Sequence, residues 1–123
     1  MENSGFMIAA PSSNSGKTVV SCALMAAFSQ LNKKVCAAKC GPDYIDPMFH
    51  REVLGVESVN LDLFFSDEEE LQELYYNHMA DSDVSIVEGV MGYYDGTEFG
   101  KCDGSGNTGL DFYYGKRNCS ACI

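Results

Sequence analysis

Residues 11–18 read Pro-Ser-Ser-Asn-Ser-Gly-Lys-Thr and contain side chains of the types that suit phosphate binding. A short apolar stretch at 6–10 precedes them, and a long apolar run at 19–31 follows. A strand, a tight loop and a helix in this order leave the first backbone N–H groups of the helix aimed into the loop, where an anion binds. Lys17 can then reach the outer phosphates, and the Thr18 hydroxyl can supply an oxygen to Mg²⁺. We therefore predict a phosphate-binding loop.

The loop departs from the general pattern for such sites at one position. The pattern is a glycine, four free positions, then Gly-Lys and Ser or Thr, and Pro11 stands where the first glycine belongs. The order of strand, loop and helix supports the interpretation, and asparagine, as at Asn14, is among the few non-glycine residues that can enter the left-handed region at low cost. The alternative is a serine-rich turn with a helix-capping serine. The residues predicted to hold the nucleotide are Ser13, Asn14, Ser15, Gly16, Lys17 and Thr18.

The composition indicates one folded domain. The chain has 123 residues, of which 46% are hydrophobic and 21% charged, enough for a modest core. The formal net charge of −10 disfavours binding to nucleic acid or to an anionic membrane, because both require basic patches. The N-terminus lacks the cationic start of a signal peptide, and no apolar run is long enough to cross a bilayer. We therefore predict a cytoplasmic protein whose six cysteines are mostly reduced thiols.

Three apolar segments are predicted to be strands of one parallel sheet. The first two, at 6–10 and 35–39, flank the helix predicted at 19–31 and form a strand-helix-strand unit with it. This helix is apolar on nearly every face, which predicts that other layers bury it. The third strand is predicted at 83–89.

Acidic residues follow two of these strands. The segment 40–50, with two prolines and a glycine, is predicted to be a rigid loop without regular structure that holds Asp43 and Asp46 at a strand's carboxyl end. Carboxylates there suit a metal or a substrate; the alternative is a turn in which both aspartates cap backbone N–H groups. Glu88 ends the third strand, where a Mg²⁺ ligand or a water-orienting group belongs, and Asp95 follows between glycines. For Glu88 the alternative is a solvated strand end.

The sequence leaves some positions open. Lys39 is either a solvated residue at a strand end or a second cation for a transferring phosphate. His50 lies in the segment with the two aspartates and has no identifiable partner. Residues 60–65 form either a strand or an irregular connection, and a polar cap with a run of acids predicts a helix at 66–79.

Three separated segments carry motifs that belong together. They are residues 10–18, the run Gly-Pro-Asp-Tyr-Ile-Asp-Pro-Met-Phe-His at 41–50 and the run Glu-Gly-Val-Met-Gly-Tyr-Tyr-Asp-Gly at 88–96. These segments closely resemble the N-terminal synthetase domain of the cobyrinate a,c-diamide synthase family, which shares Pro11. The resemblance covers residues 6–105. It implies an α/β fold of the P-loop NTPase type, similar to dethiobiotin synthetase, with helices flanking a parallel sheet that is incomplete here.

The resemblance also implies a reaction, the ATP- and Mg²⁺-dependent amidation of the a and c acetate side chains of a corrin, cobyrinic acid. ATP would phosphorylate each carboxylate, and ammonia derived from glutamine would replace the phosphate. Charge neutralisation by the loop and its metal would do most of the work. No oligomeric state is implied. The resemblance assigns catalytic roles to Lys17, Asp43, Asp46, Glu88 and Asp95, and metal binding to Thr18, Asp46 and Glu88.

The chain departs from the family after residue 105. A family member would continue into a helix, an apolar strand and later a glutaminase domain, whereas residues 106–123 show no helical or strand period. We therefore expect a partial synthetase domain at 1–105 and an irregular tail at 106–123, as in a truncated or frameshifted product that cannot use glutamine. Two alternatives stay open, an inert fragment and a non-catalytic nucleotide-binding module of the partition-ATPase type. Ser12 argues against the second, since those relatives usually carry a lysine there.

Overall fold

Helices and strands alternate along most of the chain. The computed structural model describes residues 4–12, 14–41, 43–62, 67–89 and 119–122. The elements are β1 (Ser4–Ile8), α1 (Lys17–Gln30), β2 (Val35–Cys40), α2 (Ile45–Glu52), β3 (Glu57–Leu61), α3 (Glu68–Met79), β4 (Val84–Glu88) and β5 (Cys119–Cys122). The strands form one sheet in the order β3-β2-β4-β1-β5, and all their pairings are parallel. The predicted α/β fold with a parallel sheet is confirmed.

The strand order brings the ends of three strands together. β4 lies between β1 and β2 and pairs with both of them. In this register Glu88, the last residue of β4, stands opposite Ile8 at the end of β1 and opposite Lys39 in β2. The carboxyl ends of parallel strands share one edge of the sheet, which is where open α/β sheets bind ligands. The loop that follows β1 therefore opens beside Glu88 and Lys39.

The helices cover both faces of this sheet. Alternate residues of a strand face opposite sides, and β2 shows this alternation. Ala38 packs in a buried cluster with Leu71 and Tyr75 of α3, whereas Ala37 belongs to the cluster that contains Met25 of α1. The two clusters pack the sheet between the helices. This packing fixes the positions of the strand ends that carry the side chains at the carboxyl edge.

The helix predicted at 19–31 is found as α1, but the prediction that other layers bury it on all sides is wrong. Only Ser21 and Met25 of α1 are buried, and Val19 is 73% exposed. In the part of the chain that the structure describes, α1 packs on the sheet with one side, and solvent reaches the other. An apolar helix surface by itself does not determine how many layers surround the helix.

The segment predicted to lack regular structure contains α2, so this prediction is also wrong. Pro47 is the third residue of α2, in the first turn, where a backbone N–H has no partner within the helix and a proline is tolerated. The Asp43 carboxylate accepts hydrogen bonds from the N–H groups of Ile45 (3.1 Å) and Asp46 (3.3 Å) at the start of this helix. The capping alternative therefore holds for Asp43, and the Asp46 carboxylate makes other contacts.

The remaining segments settle some of the open positions. The strand β3 ends at Leu61, and residues 63–66 lie outside the described residues. The helix predicted at 66–79 is confirmed as α3, which begins with a capping box between Asp67 and Glu70. The sequence predicts no strand in 106–123, whereas the structure has β5 beside β1, so the irregular tail is wrong for these four residues. The domain boundary at residue 105 stays a prediction.

Within the described ranges, no helix has both the length and the apolar character that crossing a membrane requires.

Candidate nucleotide site

The loop before α1 turns through two left-handed residues, Asn14 with φ 56° and Gly16 with φ 83°. A Cβ atom added at Gly16 would meet nothing within 4 Å, so the space in front of the helix is open to a ligand. The Ser15 hydroxyl donates to the Ser12 carbonyl at 2.8 Å, and the Lys17 ammonium donates to the same oxygen at 3.2 Å. Lys17 is thereby held against the loop that it is predicted to serve.

A compact network of polar side chains lies at the adjoining strand ends. The Lys39 ammonium is 2.7 Å from Glu88 Oε1 and 2.9 Å from Asp46 Oδ2. The Thr18 hydroxyl oxygen is 2.7 Å from the same Glu88 oxygen and 3.3 Å from the same Asp46 oxygen. Asp43 contributes a third carboxylate, with Oδ2 3.6 Å from the Lys39 ammonium. The first helix, two strands and α2 therefore contribute to one cluster.

Burial and charge determine the ionisation of this network. Lys39 is 4% exposed, and Glu88 is completely buried. Burial disfavours the charged form of Lys39, but the hydrogen bonds and charges of Glu88 and Asp46 outweigh it and raise the pKa of the ammonium. Burial likewise disfavours ionised Asp46, but Lys39 and the Thr18 hydroxyl lower the pKa of its carboxyl. Both groups are therefore charged at neutral pH. The burial of Lys39 and its ion pairs with Asp46 and Glu88 exclude the interpretation of this residue as a solvated strand end.

A cavity of about 460 Å³ opens between the loop and the strand ends, a volume typical of small-molecule sites. It contains both ammonium groups and two of the carboxylates described above. A bound phosphate chain would therefore contact cations, backbone N–H groups and acidic oxygens in one space. The lining residues are Asn14, Ser15, Gly16, Lys17, Thr18, Val19, Lys39, Asp43, Glu88 and Gly89.

The donor set fits a Mg²⁺ ion that is bound together with phosphates. Glu88 Oε2 is buried and accepts no hydrogen bond from the described residues, which indicates a place for a ligand. In the ranges that the structure describes, no three His, Cys, Asp or Glu side chains are grouped to hold a metal ion by themselves. Mg²⁺ typically takes one or two protein carboxylates and completes its shell with phosphate oxygens and water. Thr18, Asp46 and Glu88 could supply the ligands that come from the protein.

The structure brings most of the predicted site residues to one place. Of those predicted to hold the metal, Thr18 contacts both Asp46 and Glu88. The others that are described line the cavity, while Ser13 and Asp95 lie outside the described residues. Lys39 is a site residue whose role the sequence alone left undecided. The signal that identifies it is its register with Glu88, which requires knowing that β2 and β4 are neighbours.

His50 is buried next to this cluster and has the partner that the sequence did not reveal. Its Nδ1 lies 2.9 Å from the Ser58 hydroxyl oxygen of β3. The other ring nitrogen, Nε2, has no hydrogen-bond partner among the described residues. Burial lowers the pKa of His50, although the charges of Glu88 and Asp46 oppose this effect. The imidazole therefore favours its neutral form in the folded protein.

We expect His50 to make the folded state less stable as the pH falls below about 6.5, the ordinary histidine value. Between that pH and the lowered pKa of the folded state, the unfolded chain binds more protons and is favoured. Replacing His50 with glutamine should remove this contribution, which amounts to at most about 1.4 kcal/mol per pH unit. Urea unfolding of both proteins at pH 7 and pH 5 measures it. An identical pH dependence in the two proteins would contradict the prediction.

Together, the parallel sheet, the loop at the first strand-helix turn and the acids at neighbouring strand ends define the class of P-loop nucleotide-binding domains. A family model described as the CobQ/CobB/MinD/ParA nucleotide binding domain matches residues 6–97. The chain belongs to this family.

Curated relatives of the chain are cobyrinate a,c-diamide synthases. The protein of Gloeobacter violaceus is 47% identical over 90 residues, which are 73% of this chain and 20% of that protein. The protein of Picrophilus torridus is 45% identical over 105 residues, 85% of this chain and 24% of that protein. The protein of Caldanaerobacter subterraneus is 50% identical over 93 residues, 76% of this chain and 20% of that protein. The predicted resemblance is confirmed, and the chain spans 20–24% of the length of these relatives.

Proposed function

We propose that this chain binds ATP with Mg²⁺ in the cavity beside α1 and uses it to activate the carboxylates of a corrin precursor. The observation that carries the proposal is the convergence of the Lys17 loop with Thr18, Asp46 and Glu88. The family match supports nucleotide binding, and the relatives' name supports amidation of a cobyrinate. A cytoplasmic location, where ATP and reduced thiols are available, is part of the same proposal.

The phosphates are proposed to bind at the beginning of α1. The open N-terminus of the helix offers backbone N–H groups, and the ammonium of Lys17 is already held at the loop. Gly16 leaves space for a close approach of phosphate oxygens, since no side chain fills it. Thr18, Asp46 and Glu88 are the residues that would hold Mg²⁺, which when bound neutralises part of the phosphate charge.

The reaction is proposed to proceed through an acyl phosphate. A substrate carboxylate oxygen forms a bond to the γ-phosphorus, and the bond to the β-γ bridging oxygen breaks, so ADP leaves with that electron pair. Ammonia derived from glutamine then forms a bond to the acyl carbon; phosphate leaves, and the nitrogen loses a proton. Phosphoryl transfer of this kind needs positioned positive charge more than covalent help, which Lys17 and Lys39 supply.

The acceptors are proposed to be the a and c acetate carboxylates of cobyrinic acid, in agreement with the relatives' name. Asp43 lines the cavity and is not among the residues proposed to hold Mg²⁺, so it is proposed to orient a substrate or incoming ammonia there. Asp95 is proposed to share this role.

Titration of the chain with ATP, with and without Mg²⁺, tests the proposal. Calorimetry should show one saturable site whose affinity rises when Mg²⁺ is present. Adenosine at the same concentrations is the control, because it lacks the phosphates that the loop is proposed to bind. If ATP binds no better than adenosine under either condition, the chain has no such site and the inert alternative is favoured.

A further inference from the structure

Lys39 occupies the position in which a divalent cation would be expected. Its ammonium contacts Glu88 Oε1 and Asp46 Oδ2, and the Thr18 hydroxyl oxygen contacts the same two atoms. A metal beside the Thr18 hydroxyl would bind these two carboxylate oxygens. The Lys39 ammonium already neutralises their charge. This neutralisation is efficient, because the lysine is 4% exposed and water is largely excluded from the pair.

The same geometry makes two cations incompatible at these oxygens. A Mg²⁺ ion bound to Glu88 Oε1 would lie within a few ångströms of the Lys39 ammonium, where repulsion is strong because little water screens it. The other Glu88 oxygen, Oε2, is buried and accepts no hydrogen bond from the described residues. The Glu88 carboxylate can therefore accept a further ligand at Oε2. A metal can bind at Oε1 only after the Lys39 ammonium has moved away from that oxygen.

We infer that Lys39 is a resident counter-cation, and that Mg²⁺ bound with the nucleotide displaces it from Glu88 and Asp46. This inference rests on the proposed nucleotide site. Lys39 also lines the cavity, so its ammonium can turn from the carboxylates towards phosphate oxygens without leaving the site. The lysine then determines how much Mg²⁺ the site requires, and it disfavours metal binding in the absence of nucleotide.

The test compares the metal requirement of the parent chain with that of Lys39→Gln, which removes the charge and keeps a polar hydrogen-bond donor. Mg²⁺ is titrated at a fixed ATP concentration, and ATP binding is measured by calorimetry. Binding of Mn²⁺ without nucleotide is measured by electron paramagnetic resonance. Lys33→Gln is the matched control, since it removes the same charge from an exposed position in the connection between α1 and β2.

The half-saturating Mg²⁺ concentration is expected to fall about tenfold or more in Lys39→Gln and to stay unchanged in Lys33→Gln. Mn²⁺ should bind Lys39→Gln more tightly than the parent. An unchanged or higher Mg²⁺ requirement in a Lys39→Gln protein that still binds ATP would overturn the inference alone. Absence of ATP binding in the parent would overturn the proposed function, and the inference with it.

A second measurement on the parent does not depend on the variant being folded. With ¹⁵N-labelled lysine, the Lys39 side-chain NH₃⁺ signal should be visible by NMR because its ion pairs slow proton exchange. It is expected to change when Mg²⁺ and ATP are added together, and to remain when Mg²⁺ alone is added. A signal that persists unchanged with saturating Mg²⁺ and ATP would show that the ammonium stays in place, which overturns the displacement.

Discussion

Replacing Glu88 with leucine is expected to lower the free energy of unfolding by about 3–5 kcal/mol. Glu88 is completely buried, and its Oε1 accepts the 2.7 Å hydrogen bond of an ammonium that is itself 4% exposed. Leucine is similar in volume but accepts no hydrogen bond, so Lys39 would stay buried with less compensation. Urea unfolding followed by circular dichroism at pH 7 measures the loss.

The double variant Glu88→Leu with Lys39→Met separates the effect of charge from the effect of packing. Replacing both members of a buried ion pair with apolar side chains of similar volume is often neutral or stabilising. The double variant should therefore recover most of the stability that Glu88→Leu loses, since Asp46 keeps the Thr18 hydroxyl and partial contact with solvent. If the double variant is as unstable as the single one, the packing of the Glu88 side chain determines stability, and its ion pair with Lys39 does not.

Replacing Lys17 with methionine is expected to weaken ATP binding about 10- to 100-fold. This factor corresponds to the loss of one or two charge-assisted hydrogen bonds between the ammonium and the phosphates. In the folded chain this ammonium donates to the Ser12 carbonyl at 3.2 Å, at the edge of the open cavity. Stability should change little, because Lys17 is half-buried at the surface rather than part of the core. Calorimetric titration with ATP and Mg²⁺ measures the affinity.

Lys33→Met is the matched control for this experiment. It removes one positive charge from the same small protein at an exposed position outside the cavity. If both variants lose affinity equally, the effect comes from the net charge, and Lys17 has no specific contact with phosphate. An unfolding midpoint that drops only in Lys17→Met would indicate a structural role instead.

The proximity of the candidate site residues could be expected from the sequence where the signals are local. A strand, a loop and a helix follow one another in the order that a phosphate-binding loop requires, and Asn14 adopts the left-handed conformation that its side chain permits. Asp46 follows one apolar strand and Glu88 ends another, and the carboxyl ends of parallel strands lie at one edge of the sheet. Their contact with Thr18 follows from these two facts together.

The features that the sequence does not predict depend on neighbours distant in the chain. Two prolines and a glycine suggest an irregular segment, but a proline in the first turn is compatible with α2. The choice between the two interpretations of Lys39 depends on strand order, since Glu88 is 49 positions away and is brought opposite by the β2 and β4 pairing. The exposed side of α1 depends on which layers exist outside it, and no pattern within the helix encodes that.

The pairing of Lys39 with Glu88 across β2 and β4 limits how these two strands can change length. Successive side chains of a strand point to opposite faces, so inserting or deleting one residue between Val84 and Glu88 would turn the carboxylate away from the lysine. A substitution at another position of either strand leaves this register unchanged. Over evolutionary time, variation in length should therefore accumulate in the connecting loops, while the spacing inside these two strands stays constant.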